Sequence, residues 1–127
     1  MRTPHLAAGA IVLFVCLTAT ERSLAGCVLP VPDGADAKPS PANLHGRITR
    51  IENDEVVIAQ AKTGKIVRVL LPTNSKVFTA FGGDASPSEL ILGQTVWVWF
   101  LGCKWPSTAP ATSAYFQVYS MDPNDRP

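Results

Sequence analysis

HGRITRIENDEVVIAQAKTGKIVRVLL, residues 45–71, decides how this chain folds. Turn residues split it into three short β-branched runs. HGRITRI (45–51) reads as a first strand, and Asn53-Asp54 supplies a tight turn. EVVIAQA (55–61) reads as a second strand. Lys62-Thr63-Gly64 reverses the chain, with Gly64 free to take positive φ. KIVRVLL (65–71) is the third, closed by Pro72, which has no N–H for a ladder. Val67, Val69 and Leu71 share one face while Arg68 points the other way, as in a sheet with one buried side.

Beyond Leu71 comes a broken stretch holding Lys76-Val-Phe-Thr79, then a helix signal. Ser86 caps, Pro87 occupies the first helical position, Glu89 completes a capping box and Gly93 terminates. QTVWVWFL (94–101) is the fourth strand, GCKWPSTAPAT (102–112) a long loop, SAYFQVYS (113–120) the fifth strand, and 121–127 a frayed tail. The predicted fold is all-β: a small five-stranded OB-like Greek-key barrel over 45–120 with one short helix between strands 3 and 4. An SH3-like barrel or a small sandwich is the competing reading; the helix favours the OB order.

The skeleton Gly46-x-Ile48, Val56-x-Ile58, Thr63-Gly64-Lys65, Val67-x-Val69 and Leu90-x-x-Gly93-Gln94-x-Val96-x-Val98 resembles the exported bacterial OB-like domains of unknown function, over residues 45–120. The resemblance implies a small barrel with periplasmic or surface residence, and no catalytic residues. The tryptophan-rich fourth strand and the cysteine-bearing loop depart from it.

Working toward the N-terminus, residues 28–44, VLPVPDGADAKPSPANL, hold four prolines and few large apolar groups. With Gly26 and Cys27 they form a Pro-rich arm over 26–44, an extended tether rather than core. Before it, a positive start at Arg2, the apolar run from Leu6 to Thr20 and a Ser23-Leu24-Ala25 cleavage signature read as a signal peptide over 1–25. The run falls short of the ~20 residues of a membrane span; an uncleaved anchor is the alternative. Leu24-Ala25-Gly26-Cys27 also resembles a lipobox, which would lipidate Cys27. Glu21 and Arg22 oppose that reading, and the Pro-rich tether supports it. Cys16 leaves with the signal, so Cys27 and Cys103 form an even pair that an oxidising compartment would join as a disulfide. The expected location is periplasmic or secreted, with membrane attachment only through a lipidated Cys27.

The whole chain has eleven basic and ten acidic residues. Removing 1–25 takes Arg2, Arg22 and Glu21, leaving a neutral mature domain. Neutrality and export exclude a nucleic-acid partner despite Arg47, Arg50 and Arg68 on strands one and three. An enzyme is not expected. His45, the one mature histidine, stands at a strand start without a paired base, and Glu52, Asp54, Glu55, Asp84 and Asp122 lie in turns and tails. No cofactor motif occurs. A metal-binding or metal-responsive protein using Cys103, His45 and Met121 is the alternative function, although these residues lack ligand-motif spacing.

The fourth and fifth strands hold the remaining signal. With Val96, Val98 and Phe100 inward, period two leaves Trp97 and Trp99 outward. With Phe116 and Val118 inward, Tyr115 and Tyr119 point outward beside them. Trp105 in the long loop extends the group. The candidate binding residues are therefore Trp97, Trp99, Trp105, Tyr115 and Tyr119, forming one exposed aromatic patch that contacts an envelope protein or a glycan. A Cys27–Cys103 bond could draw the arm across that patch. The expected function is a non-enzymatic exported binding or accessory module of the bacterial cell envelope.

Overall fold

The computed structural model describes residues 26–30 and 38–127. The expected signal peptide lies outside the described residues, as do 31–37 of the arm. The fold is all-β. Five strands close into a barrel: β1 (Leu44–Ile51), β2 (Glu55–Gln60), β3 (Ile66–Leu70), β6 (Thr95–Phe100) and β7 (Ala111–Val118), with two further strands, β4 (Val77–Thr79) and β5 (Asp84–Ala85), between them in sequence. β1 pairs antiparallel with β2 and with β6, β2 with β3, and β6 with β7. A parallel contact of β3 with β7, at Val69–Ala111 and Leu70–Thr112, closes the ring.

Alternation along each strand explains the closure. Ile48, Val56, Ile58, Val69, Val96, Val98, Phe116 and Val118 turn inward and are almost wholly buried, so each strand lends one apolar row to a shared core. β1 serves two neighbours, pairing Gly46 with Gln60 on one side and with Val96 on the other. A Cβ at Gly46 would run into the Ala59 carbonyl oxygen and lie 2.8 Å from Ile58 Cγ2. Only glycine lets the backbones approach this closely. A bulge between Ile48 and Arg50 then bends β1 around the barrel. Gly64 takes φ 68° in the β2–β3 turn, as its position predicts.

Three features differ from expectation. No α-helix forms between β3 and β6; Pro87–Glu89 makes a single 3-10 turn. The Glu89 carboxylate accepts from the Ser86 N–H at 2.7 Å, but Leu90 already has extended backbone, φ −67° and ψ 145°. Leu90 alone is buried, while Ile91 and Leu92 face outward, so continued helix would gain no apolar face. Second, the broken stretch contains the β4–β5 hairpin, and β4 runs parallel to the end of β7 through Phe78–Gln117 and Thr79–Val118. Third, the tail is not frayed. The buried Gln94 side-chain amide donates to the Ser120 and Met121 carbonyls, each at 3.1 Å, and Ser120 Oγ donates to Asp125 at 2.6 Å.

Candidate functional site

β6 and β7 place the aromatic residues through their register. Trp97 faces Gln117 and Trp99 faces Tyr115 across the antiparallel ladder. Val96, Val98 and Phe100 fill the core, which fixes both tryptophans on the outer surface of the barrel wall. The face assigned from period two is the observed one. What lies over that face differs from one end to the other, and the five candidate residues separate into three groups.

The first group is open. His45 stacks on Trp97 with ring centroids 5.1 Å apart and planes 5° from parallel. Trp97 meets Tyr119 at 5.8 Å, and Tyr119 meets Phe81 edge-on at 5.3 Å. The four rings form a stripe along β1, β6, the end of β7 and the β4–β5 turn. His45 is exposed, Trp97 and Tyr119 are half-buried, and Phe81 is 72% exposed. A shallow groove of about 250 Å³ adjoins His45 and is also bordered by Arg47, Thr95 and Arg126.

The second group is covered. Trp99 is 6% exposed and Tyr115 8%. Tyr115 stacks face to face on Phe78 at 4.6 Å and meets Trp99 edge-on at 5.5 Å. The arm crosses here: Trp99 Nε1–H donates to the Ser40 carbonyl at 2.8 Å, and Pro30 borders the small hollow beside Phe78 and Tyr115. Burial pushes the Tyr115 phenol above its ordinary pKa, because a phenolate would lose its hydration.

Cys27 and Cys103 are bonded, with Cα atoms 5.2 Å apart, and this ties the start of the arm to the turn after β6. β6 does not extend to Cys103. Gly102 (φ 64°) and Cys103 (φ 53°) turn the chain away, a left-handed backbone that is costly for a residue other than glycine. Asn43 secures that turn. Its Nδ2 donates to the Cys103 carbonyl and its Oδ1 accepts from the Phe100 N–H, both at 2.9 Å. Within the arm, the Ser40 N–H donates to the Val28 carbonyl and the Val28 N–H to Ser40 Oγ, at 2.8 and 3.0 Å.

Trp105 stands apart from both groups. Its ring meets Phe100 edge-on at 5.2 Å, with Lys65 Nζ 5.9 Å from its centroid. It is 45% exposed between two surface hollows that the β6–β7 loop walls.

The structure thus joins Trp97 with Tyr119 and Trp99 with Tyr115, and leaves Trp105 separate. His45, considered from sequence only as a base or ligand, is a stacking ring. Phe78 and Phe81 were missed because they lie in the stretch that showed no clear pattern; an aromatic directly before Gly82-Gly83 was the available signal. Asn43 and Ser40 gave none. The metal-ligand trio finds other partners: Cys103 is bonded to Cys27, His45 is stacked, and Met121 packs against the core. Of the three strand arginines, Arg68 pairs with Glu55 at 2.6 Å and Arg50 with Glu52 at 3.1 Å, while Arg47 borders the groove beside His45. Among the described residues, no helix is long and apolar enough to cross a membrane. The disulfide fits a non-cytoplasmic location. Comparison with protein-family models, curated proteins and solved structures finds no match for this chain.

Proposed function

We infer that this chain is a non-enzymatic, exported binding or accessory module of the bacterial cell envelope, built on an OB-like Greek-key barrel, and that it contacts a glycan through the open aromatic stripe. The stripe carries the reading. Four consecutive rings, His45, Trp97, Tyr119 and Phe81, remain uncovered on a barrel wall whose neighbouring rings are covered. An apolar row with polar ring edges, bordered by Arg47 and Arg126, matches a sugar chain, which offers apolar ring faces and peripheral hydroxyls. A three-strand meander, a parallel β3–β7 seam and a β6 that returns to β1 support the OB-like assignment, a barrel type that hosts oligosaccharide sites. The bonded cysteine pair supports export, since such bonds persist in oxidising compartments.

The test is titration of the exported chain with soluble, envelope-type N-acetylated oligosaccharides, followed by tryptophan fluorescence. Saturable binding that is lost in Trp97→Ala and weakened in Tyr119→Ala, yet retained in Trp105→Ala, is the expected result. Absence of saturation, or equal binding by Trp97→Ala, removes the stripe as a glycan contact.

A further inference from the structure

The covered aromatic cluster has a recognition chemistry of its own. Trp99 directs its indole N–H at the Ser40 carbonyl, and Ser40 stands between Pro39 and Pro41. A residue preceding proline is held extended. Prolines on both sides of Ser40 remove two backbone donors, and although the Ser40 N–H is taken by the Val28 carbonyl, the Ser40 carbonyl accepts from the indole. Beside the indole, Phe78 and Tyr115 stack face to face and present their ring edges, and Pro30 borders the same hollow. An aromatic-lined groove is how proline-rich peptides are commonly gripped.

We propose that the Trp99–Tyr115–Phe78 slot is a recognition site for proline-rich extended peptides, that the chain's own arm occupies it here, and that the Cys27–Cys103 bond keeps it occupied. The seated arm identifies the occupant, because the residue on the slot, Ser40, is itself flanked by Pro39 and Pro41. A dithiol opens the bond by exchange. One thiolate attacks a sulfur of the pair, the second thiol resolves the mixed disulfide, and two electrons and two protons pass to Cys27 and Cys103 while the dithiol is oxidised. The freed arm then holds the slot through the Ser40 contact and through the Asn43 hydrogen bonds that pin its end to β6 and the turn after it. A proline-rich segment of another chain competes with it there. This site is separate from the open stripe and stands independently of the glycan reading.

The test titrates three proteins, the oxidised chain, Cys27→Ser and Cys27→Ser with Trp99→Phe, with a synthetic peptide of sequence KPSPANL and a control in which both prolines are alanine. The oxidised chain is expected not to bind. Cys27→Ser binds the proline peptide saturably and the alanine peptide about tenfold more weakly, and Trp99→Phe costs about fivefold by removing one hydrogen bond. No saturable binding by Cys27→Ser, equal binding of the two peptides, or unchanged affinity with Trp99→Phe overturns the proposal. Should Cys27→Ser fail to fold, the same two peptides are titrated against Pro39→Ala with Pro41→Ala, which keeps the Cys27–Cys103 bond and weakens the seated segment. Saturable binding of the proline peptide in preference to the alanine peptide supports the proposal, and no binding or equal binding overturns it.

Discussion

Trp97 and Trp99 stand on the same outer face of the same strand, two residues apart, in equivalent positions of the ladder. Trp97 lies in an open row between His45 and Tyr119, whereas Trp99 lies beneath the arm with its N–H bonded to Ser40. The strand treats them alike, and the difference comes from a segment more than fifty residues upstream. An outward position on a sheet is therefore a statement about the barrel alone. Whether the side chain meets solvent depends on what the rest of the chain lays over it.

The largest break in this contrast is removal of the bond. Cys27→Ser releases a closed loop with a sequence separation of 76 and should cost about 4 kcal/mol in the chain-entropy account. Urea melts measure the cost, and the Trp99 environment should come to resemble that of Trp97. Next, Trp99→Ala removes a buried, stacked and hydrogen-bonded ring and should cost about 3 kcal/mol or more. Trp97→Ala should cost about 1 kcal/mol, since its ring is only half-buried. The Trp99→Ala cost should shrink in the Cys27→Ser background, which a double-mutant cycle reads directly. Equal costs for the two tryptophans would erase the contrast.

A pH titration sharpens it further. The folded-state pKa of Tyr115 is raised above the unfolded value, so stability is intact below pH ~10 and declines as pH rises through the folded pKa. In a Tyr119→Phe background Tyr115 is the single tyrosine, and its phenolate absorbance reports it alone. The transition should move down, toward the ordinary value, when Cys27→Ser lifts the cover. The smallest effect belongs to Phe81→Ala, which should alter stability by no more than about 0.5 kcal/mol while weakening any ligand of the stripe.

Much of this was legible in the sequence. The five barrel strands announced themselves because Val56–Ile58, Val67–Val69 and Val96–Val98 alternate at period two and the turns between them carry Gly64, Pro72 and Gly93. The cysteine pair was legible from its even number. β4 and β5 were not, because three- and two-residue strands are too short for a period to register. The capping signal at Ser86–Glu89 was correctly placed but promised a helix where one turn suffices, since a cap specifies a beginning and says nothing of length. The division of the aromatic patch was illegible for a different reason. It depends on a contact between the arm and β6, and no local pattern encodes which face an extended proline segment will cross.

β7 is the strand that closes the barrel. It ladders with β6 on one side and meets β3 and then β4 on the other, all in parallel on that second side. A chain that has emerged only as far as β6 therefore carries two bare sheet edges, at β3 and β6, each a template for pairing with another molecule. The meander β1–β2–β3 assembles from neighbouring residues, but both edges are sealed only when the C-terminal segment arrives. Synthesis of this chain from its N-terminus thus includes an interval of exposure to aggregation that ends with the docking of one strand.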